Sequence, residues 1–395
     1  MRDLFRRLLL GSLALALAAA VWLPTLSLLF HRDPVPYLGT GEAAPRARAM
    51  ALRHVRMWTD PALREREIAA MRRSNAEWDF MGRTFLVLGL AEMALRDPDA
   101  QDDHLAVIDA ILDETLRLER KHGHVHFLMP YARGRPFVVR PTRSLFVDGE
   151  IALMLAARRL VAEKPPYKPL LGERVRIMVE RMQRSPVLCA ESYPDECWTF
   201  CNAVALAAIR LADVLDGSDH APFLTQWVAT AKAKLVHQET GLLVSSFTQR
   251  GATMDGPEGT SLWLVAHCLT LIDPDFAADQ YARARRELGR HVLGFGYSRE
   301  WPRSWRGPMD IDSGPVVPVL EASASASGLA MVAARSFGDT EYFGALLASL
   351  EFAGLPIERD GARRYAASNA VGDAVVLYAM VLGPLWEKAW EGRAP

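Results

Sequence analysis

Cysteine is scarce in this chain: Cys189, Cys197, Cys201 and Cys268 are all there is among 395 residues. Four are too few to hold a domain of this size as a disulfide framework, although the spacing leaves a Cys189–Cys197 bridge open. Net charge is lacking too, −1 at neutral pH, with Lys and Arg scattered rather than blocked. Nothing in that balance points to nucleic acid or an acidic surface as partner. No phosphate-cradling G-x-x-x-x-G-K-[ST], no G-x-G-x-x-G and no G-x-S-x-G occurs, so nucleotide-binding and serine-hydrolase classes have no support. His122, His124 and His126 alternate, but no matching Cys/His spacing accompanies them, and a polar surface hairpin is expected there rather than a metal site. Neither a metal nor a cofactor is implied. What is present is apolar bulk, 50% hydrophobic against 24% charged residues, which is ample for a globular core.

The first thirty residues stand apart. Arg2, Arg6 and Arg7 precede an uncharged run from Leu8 to Phe30, ended by His31-Arg-Asp-Pro34. About 20 apolar residues cross a bilayer as a helix, and this run suffices. A cleaved signal peptide is the alternative, with Ala18-Ala19-Ala20 as its cleavage site. The apolar run continues ten residues past that point, so an uncleaved single-pass anchor over 1–33 is expected. The basic end should then stay in the cytoplasm and the body lie on the extracytoplasmic, periplasmic side of the cell membrane. A linker is expected over 34–60 and the catalytic domain over 61–395.

In that domain, helical periodicity comes in pairs. One-faced Pro61–Arg73 precedes apolar Phe80–Leu95, which is followed by charged His104–Arg120. Apolar Ile151–Val161, Cys197–Leu215, Ser261–Ile272 and Val316–Ala334 alternate with one-faced Gly172–Arg184, Pro222–Val236, Ala277–Val292 and Glu341–Leu350. Apolar Ala370–Leu385 closes the series. A helix apolar all round must be enclosed, and a one-sided helix can cover it. Six hairpins with an inner ring inside an outer ring satisfy both demands. The expected fold is therefore all-α, an (α/α)6 barrel, with Pro61–Arg73 pairing across the closure with Ala370–Leu385. An open helical solenoid is the rival, and no fixed-period repeat supports it.

The longer Gly/Pro-rich connections precede the inner helices, and acids or amides sit there each time. They are Asn75, Glu77 and Asp79; Asp148 and Glu150; Asp195 and Glu196; Asp255 and Glu258; Asp310 and Asp312; Asn369 and Asp373. If every inner helix starts at one end, these groups gather at one mouth, some of them only as N-caps. Glu150 and Glu258 fall in first turns facing an apolar interior, where a carboxyl holds its proton and serves as general acid. Asp310 and Asp312 flank one apolar residue, so an extended backbone points them the same way as a like-charge pair. In Tyr193-Pro-Asp-Glu-Cys-Trp-Thr-Phe-Cys-Asn202, Asp195 is placed to cap the next helix, and Cys197 and Cys201 fall at i and i+4. Asp79, Tyr193, Trp198 and Asn202 are read as substrate-binding. Trp301 and Trp305, near Tyr297, offer an aromatic wall for a sugar ring or a hydrocarbon.

The order of elements and the central motif resemble the linalool dehydratase/isomerase family. Pro194-Asp195, five residues, then Cys201-Asn202 is similar to that family's segment bearing a catalytic cysteine. Asp216-Gly217, Ile272-Asp-Pro274, Phe337-Gly-Asp339 and Arg364-Tyr365 extend the similarity, which runs from about Asp79 to Trp390. The resemblance implies an (α/α)6 barrel and makes Cys201 the site thiol. The family's second site cysteine falls at Ser192 without a gap, or at Cys189 if three residues are inserted. Its histidine falls at Glu150 and its tyrosine near Thr260, beside Glu258. The aspartate lent by a neighbouring subunit has no counterpart, though a homo-oligomer is open.

Carboxylates thus replace imidazole and phenol, which disfavours linalool itself. The expected function is a lyase-type, acid/base cleavage of a C–O bond in an alcohol. Glu150 or Glu258 would be the acid, Asp310 or Asp312 the base, and Asp195 and Cys201 would shape the pocket. A glycoside hydrolase acting on a glycan with two of the same carboxylates is the enzyme alternative. A non-catalytic, membrane-tethered binding protein is the third class.

Overall fold

The computed structural model describes residues 2–309 and 313–391. Fifteen helices follow one another among these residues. They are α1 (Arg2–Phe30), α2 (Pro45–Thr59), α3 (Pro61–Ser74), α4 (Ala76–Arg96), α5 (Gln101–His122), α6 (Leu145–Val161), α7 (Tyr167–Met182) and α8 (Thr199–Asp216). After them come α9 (Ala221–Lys234), α10 (Gly259–Leu269), α11 (Pro274–Glu287), α12 (Ala324–Ser336), α13 (Thr340–Ala353), α14 (Ala370–Val381) and α15 (Pro384–Glu391).

Helices α4, α6, α8, α10, α12 and α14 touch in that order, and α14 returns to α4, so the ring closes. These are the all-round apolar helices, and they must be enclosed to remove that surface from water. Helices α5, α7, α11 and α13 cover their partners α4, α6, α10 and α12, and α9 buries Phe223, Leu224 and Trp227. The fold is the (α/α)6 barrel.

Several local expectations need correction. The segment 34–60 carries α2, which buries Met50, Met57 and Trp58 and packs on α14, α3 and α5. It is part of the barrel wall and shares with α3 the outer position at the closure. Proline at N1 and a Met/Trp face every third or fourth residue are ordinary helix signals, overlooked amid four arginines. Residues 197–198, 289–292 and 316–323 are not helical. The connections before α8, α10, α12 and α14 instead carry antiparallel strands. β1 (Cys197–Trp198), β2 (Ser246–Phe247) and β3 (Thr253–Asp255) form one sheet. β4 (Gly289–Val292), β5 (Phe295–Arg299), β6 (Val316–Val317) and β7 (Ala322–Ser323) pair in the order β4-β5-β7-β6, and β8 (Pro356–Arg359) with β9 (Ala362–Tyr365) makes a hairpin. The three histidines close α5 and form a 3-10 turn, not a hairpin.

Side-chain caps fix where four inner helices begin. Asn75 accepts from Glu77 N (2.8 Å), Ser144 from Val147 N (3.5 Å), Ser323 from Ala326 N (3.1 Å) and Asn369 from Gly372 N (3.0 Å). The other two, α8 and α10, have no side-chain cap of that kind. Their first amides are taken from outside, Thr199 N by Ser245 O (2.8 Å) and Gly259 N by Glu300 O (2.7 Å). All six starts lie at one end of the ring.

Candidate active site

That end holds a cavity of about 720 Å³ lined by the first turn of every inner helix, within the roughly 300–1,000 Å³ usual for ligand sites. Its wall is mainly apolar, with Met81, Phe85, Phe146, Phe200, Leu329 and Val376 among the contributors. Among the described residues, three carboxylates (Glu77, Glu258 and Glu300), one thiol (Cys201) and several hydroxyls, Ser261, Ser323, Ser325 and Ser327 among them, interrupt that surface.

Glu77 stands in the first turn of α4 and accepts a short hydrogen bond from the Tyr193 phenol. The Tyr193 oxygen also accepts from Met129 N (2.9 Å), and its ring stacks on Tyr131 (4.7 Å, 17°). Tyr193 is thereby held from two sides with its hydroxyl aimed at Glu77. Cys201 faces the cavity from α8. Burial pushes its thiol well above the ordinary value, the Glu77 and Glu150 carboxyls push it further, and the Ser192 hydroxyl opposes them. Cys201 is accordingly a neutral thiol, not a thiolate nucleophile.

Glu258 immediately precedes α10 and is only 7% exposed. Its amide donates to Ser245 Oγ (2.8 Å), and its carboxylate accepts from Ser261 Oγ (3.2 Å). Glu300 holds the start of α10: its carboxylate accepts from Thr260 N (3.0 Å) and Thr260 Oγ1 (2.8 Å). Only glycine fits between them at 259, since a Cβ there would lie 2.4 Å from Arg299 O. Glu300 thus positions Glu258. In a ring of six, α4 and α10 are three places apart, so Glu77 and Glu258 face each other across the cavity.

Glu150 is not in the cavity wall. It lies one turn deeper along α6 than Phe146, 1% exposed, and accepts a short bond from Thr84 Oγ1. Burial, with a smaller contribution from Glu77 and against the Thr84 hydrogen bond, raises its pKa to about 8. Folded Glu150 therefore binds its proton more tightly than the unfolded chain does. Its contribution to stability is whole below pH about 4.5, declines as pH rises, and is gone above about 8. Glu150→Gln keeps the Thr84 bond and cannot ionise. It should be progressively more stable than the parent from pH 5 to 8, by on the order of 4 kcal/mol at the upper end, and denaturant titrations across that range will read the difference.

The remaining sequence candidates divide sharply. Tyr193 and Trp198 line the cavity with Cys201 and Glu258. Asp310 and Asp312 lie outside the described residues. Asp195 does not cap α8: it adopts a left-handed φ of +56° three residues ahead of Trp198, and its carboxylate accepts from Gln249 N (3.1 Å) to hold the loop. Cys197 is on β1, its sulfur 2.6 Å from that of Cys189, so it shares no helix face with Cys201. Asp79 is buried in an ion pair with Arg83 (2.8 Å) and Arg72 (3.3 Å). Asn202 donates to Trp198 O (2.8 Å) below the wall.

Trp301 and Trp305 stack on each other, 6.5 Å apart, and Trp305 bonds Pro308 O (2.8 Å); neither lines the cavity. Trp305 packs instead on Gly256 and beside the His237 ring, 5.5 Å away. Among the other acids, Asp148 is paired with Arg143 and Arg174, and Glu196 with Arg135 (2.8 Å) and Tyr131 (3.1 Å). Glu300 escaped notice because it follows a strand, away from any helix start.

A closed double ring of helices with an acid-bearing, apolar cavity at the starts of the inner helices defines an (α/α)6 barrel with an enzyme-like site. The chain belongs to the linalool dehydratase/isomerase family, which it matches over residues 173–371, just over half its length. That span includes Ser192, Cys201, Glu258 and Glu300. Among solved structures, the GH76 alpha-mannanase of Bacteroides thetaiotaomicron is similar at 10% identity and a TM-score of 0.47, covering 79% of this chain and 87% of that one.

Proposed function

We propose that this protein is a membrane-anchored enzyme that breaks the C–O bond of a large apolar alcohol by acid/base catalysis, releasing water and an alkene. The observation that carries the reading is the placing of Glu77 and Glu258 on opposite sides of one apolar cavity that all six inner helices help to line. Family membership supports the reaction class, and an apolar wall suits a hydrocarbon better than a glycan.

Burial above all keeps Glu150 protonated up to about pH 8, so it places no second negative charge behind Glu77. Glu77, on the cavity wall beside the Tyr193 phenol, is the general acid that gives its proton to the hydroxyl oxygen. As the C–O bond breaks and water leaves, Glu258 takes a proton from the adjacent carbon and the pair of electrons from that C–H bond forms the double bond. Solvent at the mouth returns the proton from Glu258 to Glu77. Cys201, neutral beside Ser192, stays protonated and adds no charge to the wall.

Helix α1 is long and apolar enough to cross a membrane, and its basic N-terminal end supports an orientation with the barrel on the extracytoplasmic side. The test is to incubate the full chain in lipid nanodiscs with long-chain alcohols and with glycans, and to follow alkene and reducing-sugar formation. Alkene from an alcohol, absent with the Glu77→Gln/Glu258→Gln variant, is the expected result. Reducing sugar alone, or no product from any alcohol, contradicts it.

A further inference from the structure

The last turn of α1 docks on the barrel at one place. Ser27 is buried against Gly294, whose φ of +82° and missing Cβ admit it; a Cβ there would lie 2.2 Å from the serine hydroxyl. The Phe30 ring lies 6.4 Å from Phe295 and 5.0 Å from Phe352, and Arg32 follows, 3.4 Å from Glu351. The anchor therefore leaves the barrel from the β4–β5 turn and the end of α13.

The barrel surface at this foot is greasy. Leu293 in the β4–β5 turn and Leu355 just after α13 are 46% and 59% exposed, and each sits at positive φ, +52° and +54°. Glycine or asparagine is the usual choice there, and a bulky side chain at positive φ is uncommon and strained. Val292 and Phe352 beside them are also about half exposed. Single exposed aliphatics are ordinary, but a contiguous apolar patch marks contact with a partner or a membrane.

Two further observations choose the occupant. The uncharged run Leu8–Phe30 is 23 residues, about 34 Å of helix against roughly 30 Å of bilayer hydrocarbon. The turn packed on Ser27 and Phe30 thus comes level with the hydrocarbon boundary. The cavity also reaches the surface here: exposed Ala353 and Ala367 line it, and Gly354, bonded to Ala367 (3.1 Å), adjoins Leu355.

We propose that the patch formed by Val292, Leu293, Phe352 and Leu355 rests in the bilayer that holds α1, and that the cavity draws a long-chain alcohol directly from the lipid past Ala353 and Ala367. This rests on the anchored-enzyme reading above and names where its substrate resides.

The full chain carrying Leu293→Cys or Leu355→Cys, labelled with an environment-sensitive fluorophore, tests it in phosphatidylcholine nanodiscs with and without spin-labelled acyl chains. The native cysteines are buried, and Trp22→Cys in α1 and Glu180→Cys on α7 serve as lipid and water references. Loss of fluorescence at 293 and 355 matching that at 22, with none at 180, is expected. Quenching at 22 without quenching at 293 and 355 overturns the proposal while the anchor stands. Absence of quenching at all three positions removes the anchor and the proposal together. Labels shielded from soluble and lipid quenchers alike, in a chain that runs as a dimer, would give the patch to a second copy and likewise overturn it.

Discussion

Glu258→Gln should lower turnover by about 10²–10⁴-fold, the range of a general acid or base, which is roughly 3–5 kcal/mol of barrier. The substitution is isosteric: the amide oxygen still accepts from Ser261 Oγ, and the bond from Glu258 N to Ser245 is untouched. Folding should therefore be unchanged, and the loss should fall on kcat rather than KM, because the proton is taken only in the transition state. Glu77→Gln should cost a similar factor, with Tyr193 still donating to the amide oxygen. The two variants separate by pH. In the parent, turnover should fall at high pH, where the general acid is deprotonated. Glu258→Gln leaves that limb in place. Glu77→Gln removes that limb, because the amide cannot titrate. Steady-state rates from pH 5 to 9 distinguish these outcomes.

Asp79→Asn is expected to be the most damaging conservative change to stability, by about 3–5 kcal/mol, a large part of the 5–15 kcal/mol of an ordinary domain. Asp79 and Arg83 are 1% and 2% exposed. Asparagine keeps the shape but withdraws the counter-charge, leaving the Arg83 guanidinium buried with Thr115 (3.1 Å) and a more distant Glu114 (3.8 Å). A denaturant midpoint lowered at unchanged KM is the predicted result. If Asp79 instead held substrate, KM would rise and the midpoint would stay.

The contrast between Asp79 and Glu77 shows what is and is not legible in the sequence. Helical period revealed the ring, because enclosing six all-round apolar helices has few solutions, and the same period placed their starts at one end. It did not say which acid of each cluster turns inward. Glu77 and Asp79 are two residues apart on α4, about 200° around the helix; one reaches the cavity and the other an arginine on the far side. Asp195 looked like a cap, yet the chain takes a left-handed turn there, and strand pairing moves Cys197 off the helix. Trp301 and Trp305 differ from a binding platform only in what they stack on, a tertiary fact. Glu300 had no local signature at all, since its role is to receive the amide of a residue forty positions earlier.

The central claim is that Glu77 and Glu258 act on one substrate from opposite sides. A crystal structure of the protein with an unreactive long-chain alcohol bound tests it most directly. The hydroxyl oxygen should lie within hydrogen-bond distance of Glu77, with the adjacent carbon turned toward Glu258. A hydroxyl that contacts neither carboxylate, or an alcohol bound outside the cavity, would contradict the account.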